Sequence, residues 1–188
     1  MAYFPLFIDL KDKNILVIGG GKVAERKVKV LLQFEAEISV IAKSVKSEEI
    51  KNLADTGIIK LYERPFSLAD INFKDLVIVA VDDLELQKKV YKECVKRKIP
   101  VNSVDSIDYC SFIFPSIIKE DEIIIGISTS GKAPALSRKL RELIKDCLPK
   151  NIKSILKEVI SLRESLPKGR ERQKILVNFL KKRFGDWG

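Results

Sequence analysis

Three observations predict an α/β chain built on a doubly wound parallel sheet. Short, almost wholly apolar runs recur at residues 15–18, 38–41 and 76–80. Stretches with helical spacing separate them. The first run ends in Gly19-Gly20-Gly21, which leads directly into such a stretch. Continuous apolar strands suit burial on both faces of a sheet, and strands alternating with helices suit parallel pairing.

Taken in order, residues 4–10 read as an apolar extended segment closed by the polar turn Lys11-Asp12-Lys13-Asn14. It is expected to form an edge element beside the first core strand, residues 15–18. Val23, Lys27, Val30, Leu31 and Phe34 recur at helical spacing and predict an amphipathic helix over 22–34. Residues 38–41 form the second strand, and Ser47 suits the cap of a short helix that follows. Residues 58–63 and 76–80 give the third and fourth strands. Asp82-Asp83 comes next, where carboxylates cap a helix over 84–97. Residues 100–104 form the fifth strand, with Asp105 at its carboxyl end. These elements make a dinucleotide-binding Rossmann domain over 1–112.

The pattern then changes. Residues 111–118 and 122–128 read as two strands joined by the charged turn Lys119-Glu120-Asp121, and with no crossover helix between them they should pair antiparallel. A small-residue loop, Thr129-Ser130-Gly131-Lys132-Ala133, precedes Pro134 in a first helical turn. Leu136, Leu140, Leu143, Ile144 and Cys147 mark the apolar face of that helix, which Pro149 ends. Helices over 151–166 and 170–184 are split by Pro167-Lys168-Gly169. The expected organisation is the Rossmann domain at 1–112, a small strand-pair dimerisation region at 113–148 and a basic helical tail at 149–188. A hydrophobic strand pair without a partner layer of its own points to a homodimer.

The chemistry starts at the glycines. Gly19-x-Gly21-x-x-Ala24 has the dinucleotide fingerprint form. Gly19 allows a tight turn, Gly21 lets a pyrophosphate approach the backbone, and Ala24 is small enough for close helix–strand packing. A helix starting at Lys22 and Val23 aims free N–H groups and its positive dipole end at the phosphates. The fingerprint also predicts an acid at the end of the second strand for the ribose hydroxyls of NAD. This chain has Ala42-Lys43-Ser44 there. Lys43 would meet the 2′-phosphate of NADP; equally, backbone groups of Lys43 and Ser44 would hold the ribose of NAD. Asp82 stands where ligands sit in open α/β sheets, outside the carboxyl ends of the strands.

Composition narrows the rest. The chain carries 35 Lys+Arg against 26 Asp+Glu and no His. Residues 132–188 hold 16 of the basic and 6 of the acidic residues, so the excess belongs to the carboxyl-terminal third. A small polyanion fits that charge. Nucleic acid is disfavoured, because these helices have few aromatics for stacking and no recognition motif. No apolar run approaches the roughly 20 residues of a membrane span, and residues 1–10 lack the basic leader of a signal peptide, so a cytoplasmic protein is expected. Cys94, Cys110 and Cys147 are far apart, which predicts free thiols and no metal site of the protein's own. Without histidine, a proton acceptor near neutral pH must be a carboxylate, Lys, Tyr or Cys.

Several blocks together resemble the precorrin-2 dehydrogenase family, the dehydrogenase/chelatase module of siroheme synthases. They are Pro5-Leu6-Phe7, the run from Gly19 to Lys27, Ala80-Val81-Asp82-Asp83, Asn102-Ser103-Val104-Asp105, Ser111-Phe112-Ile113-Phe114-Pro115-Ser116 and the run from Ser128 to Pro134. No methyltransferase module follows them, so the resemblance is to the stand-alone form. It implies NAD-dependent oxidation of precorrin-2 to sirohydrochlorin, in some members insertion of ferrous ion, with cobalt as another metal substrate, and a homodimer. The family's key aspartate falls on Asp105. Ser128, Thr129 and Lys132 lie in the loop near which the family binds its tetrapyrrole. Precorrin-2 carries eight carboxylates, which gives the basic third a partner. The alternative from a different class is a non-enzymatic nucleotide-binding regulatory subunit, favoured by the missing ribose acid.

Overall fold

The computed structural model describes residues 3–184; Met1, Ala2 and residues 185–188, the end of the expected tail, lie outside the described residues. The chain divides into two compact units, residues 1–114 and 115–188.

The first unit is organised by five short parallel strands: β1 (Asn14–Ile18), β2 (Glu37–Ala42), β3 (Lys60–Glu63), β4 (Leu76–Val79) and β5 (Val101–Ser103), in the order β3-β2-β1-β4-β5. Strand periodicity sends Ile15 and Val17 to one face and Leu16 and Ile18 to the other. The first face receives α1 (Lys22–Leu32) and α2 (Glu48–Asp55), and Ile15, Val17, Ile38, Val40 and Ile78 are buried there with Ala24, Val28 and Ile50. The second receives α3 (Leu84–Arg97), whose Val90 and Cys94 close over Leu16, Val77, Val79 and Val101. Burying each such aliphatic side chain stabilises the fold by about 1.5–3 kcal/mol. Both faces are covered, which is why β4, and β1 from Ile15 onward, are wholly apolar.

Three expectations need correction here. Residues 4–10 join no strand: the sheet edges are β3 and β5, and Phe4, Leu6 and Phe7 are 85%, 72% and 71% exposed, with only Leu10 packed against the core. The first helix ends at Leu32, and of the expected stripe only Leu31 is fully buried; Ala24 and Val28 complete the buried face, while Val23, Lys27 and Val30 are half-buried. The residue nearest the sheet must be small, and Ala24 supplies that. The third strand begins at Lys60, since Thr56 and Gly57 are still spent on the exit from α2.

The second unit holds an antiparallel hairpin, β6 (Ser116–Glu120) and β7 (Ile123–Ile127), followed by α4 (Pro134–Cys147), α5 (Ile152–Ser165) and α6 (Arg170–Phe184). The hairpin differs from expectation in two ways. Glu120 pairs with Ile123, so the turn is Asp121-Glu122, with Asp121 at φ 53° in the left-handed region that two-residue hairpins use. Residues 111–115 are not in the strand; Ser111 donates back to the Val101 carbonyl at 2.8 Å, within the first unit. The helix α4 packs on the hairpin, and α5 on α6. Leu136 and Leu143, expected on a buried face, are 52% and 49% exposed. No described helix is long and apolar enough to cross a membrane.

Candidate active site

All five strands of the first unit are parallel, so their carboxyl ends share one edge of the sheet. The glycine turn after β1 is wedged between its neighbours there. Gly19 has φ +127°, and a Cβ on it would stand 2.4 Å from the Ala80 carbonyl oxygen, at the end of β4. A Cβ on Gly20 would meet the Ser44 carbonyl oxygen at 2.8 Å, at the end of β2. A Cβ on Gly21 would meet nothing within 4 Å. The first two glycines are therefore required by the protein itself, whereas Gly21 borders open space.

Backbone bonds fix the turn. Gly19 N donates to Ile41 O at 2.8 Å, and Gly20 O accepts from Lys46 N and Ser47 N at 2.9 and 3.1 Å. Ser47 accepts from Ile50 N at 3.2 Å to cap α2 and donates to Glu25 on α1 at 2.8 Å. The bonds from Ser47 and Lys29 hold the Glu25 carboxyl below its ordinary range. The turn, α1 and the β2–α2 connection thus form one braced frame.

That frame fits a dinucleotide. Gly21 is the N-cap of α1 and is extended, and no side chain caps the helix. The first-turn amides, from Lys22 to Ala24, face the opening with the positive end of the helix dipole, the arrangement that binds phosphate. Lys43 and Ser44 are exposed at the end of β2, beside Gly20. Asp82 is exposed at the end of β4, while Asp83 caps α3 by accepting from Leu86 N at 3.0 Å.

Asp105 follows β5 on the same edge, exposed and at φ 61°. An aspartate in the left-handed region is one of the less costly non-glycine choices. The turn beneath it is pinned by Cys110. That buried sulfur accepts from Ser103 N at 3.2 Å and faces the carbonyls of Ser103 and Ser106 at 3.2 and 3.3 Å, an acceptor pair for its one proton. Burial raises the thiol's pKa and keeps it protonated. Asn102 donates to Phe112 O at 3.0 Å, tying the segment after the turn to β5. Gln87 of α3 donates to Val81 O at 2.8 Å. Its Oε1 and Ser103 Oγ are buried without a partner among the described residues.

Ser128, Thr129 and Lys132 belong to the second unit. Both hydroxyls serve the loop itself: Ser128 Oγ accepts from Ser130 N at 3.0 Å, and Thr129 Oγ1 accepts from Ala133 N at 3.1 Å and meets the buried Ser137 hydroxyl at 3.0 Å. Lys132 is exposed.

A family model described as putative NAD(P)-binding matches residues 6–116, the span that carries the glycine turn, Asp82 and Asp105. A second, described as sirohaem biosynthesis protein central, matches residues 125–146. The chain belongs to the NAD(P)-binding family of siroheme biosynthesis proteins. Among its relatives, the siroheme synthase of Buchnera aphidicola subsp. Acyrthosiphon pisum is 43% identical over 157 residues, covering 84% of this chain and 33% of that one. The siroheme synthase of Photorhabdus laumondii subsp. laumondii is 37% identical over 187 residues, covering 100% of this chain and 38% of that one. The chain thus spans about a third of the length of these curated relatives. The solved structure of SirC, a precorrin-2 dehydrogenase, superposes with a TM-score of 0.79 at 24% identity over 97% of this chain and 92% of that one, which shows the fold.

Against this family background, sequence reasoning brought out the glycines, Asp82 and Asp105 but missed Lys27, Cys110, Asn102 and Gln87. Lys27 stands in the sequence as a member of a helical stripe and as the last residue of the run from Gly19, with nothing to mark a role of its own. Cys110 reads in the sequence as an isolated thiol. Asn102 offered the one usable signal: a polar side chain in the middle of a short strand needs a partner.

Proposed function

We propose that this protein is a precorrin-2 dehydrogenase: an oxidoreductase that uses NAD or NADP to convert precorrin-2 to sirohydrochlorin. The observation that carries the reading is the common edge of the sheet. An uncapped helix start behind an open glycine and an exposed carboxylate at the end of β5 stand along it. The match to siroheme synthases and the fold shared with SirC support the substrate class. The basic third of the chain supports it as well, since eight carboxylates need cations.

The nicotinamide, when bound, accepts the hydride; the protein supplies position and charge. Gly21 and the first-turn amides of α1 hold the phosphates. Lys43 and Ser44 meet the adenosine ribose, and Lys43 favours NADP where a 2′-phosphate is present. Asp82 borders the cofactor at the end of β4. Asp105 accepts the proton that leaves the tetrapyrrole, the role left to a carboxylate in a chain with no histidine. Ser128, Thr129 and Lys132 are proposed as substrate-binding residues. Insertion of ferrous or cobalt ion into sirohydrochlorin would release two pyrrole protons, and Asp105 suits that task too.

We read the assembly as a homodimer. Of the hairpin isoleucines only Ile118 is buried among the described residues, and Leu136 and Leu143 are exposed on α4. The free thiols at Cys94, Cys110 and Cys147 suit a reducing cytoplasm. The test is Asp105→Asn in the full chain. Turnover of precorrin-2 should fall by about a hundredfold or more, as expected for loss of a general base, with fold and cofactor affinity retained. Loss of folding or of cofactor binding would reassign Asp105 to structure.

A further inference from the structure

Lys27 sits in the second turn of α1, half-buried, and its ammonium lies 3.7 Å from the centroid of the Phe114 ring. An ammonium has three N–H donors, and a ring face accepts none of them as a carboxylate would. Among the described residues Lys27 makes no ion pair. Its neighbour Lys29, two residues on, pairs with Glu25 and Glu49 at 3.2 and 3.1 Å. The titratable and charged groups that Lys27 feels are Arg26 on its own helix, Asp105 after β5 and the Cys110 thiol. Asp105 favours the charged form without pairing with it. Burial dominates and lowers the ammonium's pKa to about 8. This is a cation partly removed from water, within electrostatic reach of the proposed proton acceptor, and without an ion-pair partner among the described residues.

We propose that Lys27 receives a carboxylate substituent of the substrate and so fixes the edge of the tetrapyrrole next to Asp105. The inference rests on the tetrapyrrole reading above. A cofactor phosphate is the other anion within the site, but its cradle is the glycine turn and the first turn of α1. Lys27 instead lies against Phe114 and within electrostatic reach of Cys110 and Asp105, the side on which, with Asp105 as proton acceptor, the reacting carbon must lie. An arriving carboxylate supplies the missing acceptor and restores the charge that burial penalises. Phe114 holds the ammonium in place between turnovers, a cation–π contact.

The experiment uses the full chain with Lys27→Met, which keeps the aliphatic stem, and Lys27→Gln as a second variant. Folding is checked by thermal unfolding. Precorrin-2 turnover, NAD affinity and binding of uroporphyrin, a stable octacarboxylate porphyrin, are measured side by side. KM for precorrin-2 and Kd for uroporphyrin should rise about tenfold or more, the scale of a lost charge-assisted contact. The kcat and NAD affinity should hold within about twofold. Uroporphyrin binding to the unaltered protein should weaken as pH is raised past about 8, and the Lys27→Met protein should lack that dependence.

Unchanged KM and Kd would overturn the proposal. So would a matching loss of NAD affinity, which would hand Lys27 to the cofactor, or a fall in kcat alone, which would make it a partner of Asp105. If neither variant folds, Lys27 is a packing residue and the proposal falls. Lys27-dependent uroporphyrin binding without oxidation of precorrin-2 would remove the dehydrogenase reading and leave the carboxylate site. Oxidation that ignores Lys27 would do the reverse.

Discussion

Gly19 and Gly21 are two residues apart in one motif, yet alanine should act on them in opposite ways. At Gly19 the added Cβ would stand 2.4 Å from the Ala80 carbonyl oxygen and 2.9 Å from its carbon, on a backbone at φ +127°. Strained backbone costs on the order of 1–3 kcal/mol and overpacking against a fixed main chain a similar amount, so Gly19→Ala should lose roughly 2–6 kcal/mol. That is a large share of the roughly 5–15 kcal/mol that holds an ordinary domain. At Gly21 the backbone is extended, φ −99°, and nothing lies within 4 Å of the added carbon. Replacing a helix N-cap glycine costs up to about 1 kcal/mol, and the stiffer unfolded chain returns about 0.4–1 kcal/mol of it. Gly21→Ala should therefore fold nearly as the unaltered protein does. Its methyl group, however, occupies the approach to the amides proposed to bind phosphate, and NAD affinity should fall about tenfold or more, equivalent to about 1.4 kcal/mol. Urea unfolding and calorimetric titration with NAD separate the two effects. A well-folded Gly21→Ala protein with unchanged affinity would refute the assignment of this turn as the phosphate cradle.

Other perturbations read other parts of the frame. Ser47→Ala removes both the α2 cap and the partner of Glu25 and should cost about 1–2 kcal/mol in urea unfolding. Cys110→Ala frees the turn under Asp105, so kcat should fall more than NAD affinity, and Cys110→Ser, which keeps a donor and an acceptor, should restore part of the loss. Asp70 is held below its ordinary pKa, first by the Arg64 hydrogen bonds at 2.6 and 2.9 Å. A carboxyl with a depressed folded pKa contributes stability above its unfolded value, near 4, and loses it as pH falls further. Asp70→Asn should therefore destabilise at pH 7 by about 1–2 kcal/mol, with the difference from the unaltered protein shrinking below about pH 4.

The parallel sheet was legible because burial on both faces leaves no choice at Ile15, Leu16, Val17 and Ile18, and the glycine turn was legible because strand and helix flank it. Composition misled where the burying partner is not local. Phe4, Leu6 and Phe7 are as apolar as any strand residue, but no sheet edge takes them. The run from Phe112 to Ile118 hid a boundary, because the backbone up to Phe112 is bonded to β5 while Pro115, which has no N–H to donate, separates it from β6. The helical stripe through Val23, Lys27, Val30, Leu31 and Phe34 shares only Leu31 with the buried face, because small Ala24 carries little hydrophobic signal. Asp105 was found from its position after a strand. Its support by Cys110 comes from five residues further on, whereas Lys27 lies 78 residues earlier in the chain, and nothing in the local sequence of either segment announces the other.

The most direct measurement is anaerobic incubation of the protein with precorrin-2 and NAD or NADP in parallel, recording reduced nicotinamide and sirohydrochlorin together. The account predicts that both appear in equal amounts with at least one cofactor, and that Asp105→Asn stops both. A folded protein that binds the nucleotide and oxidises no precorrin-2 with either would contradict it, and would point to a nucleotide-binding regulatory subunit.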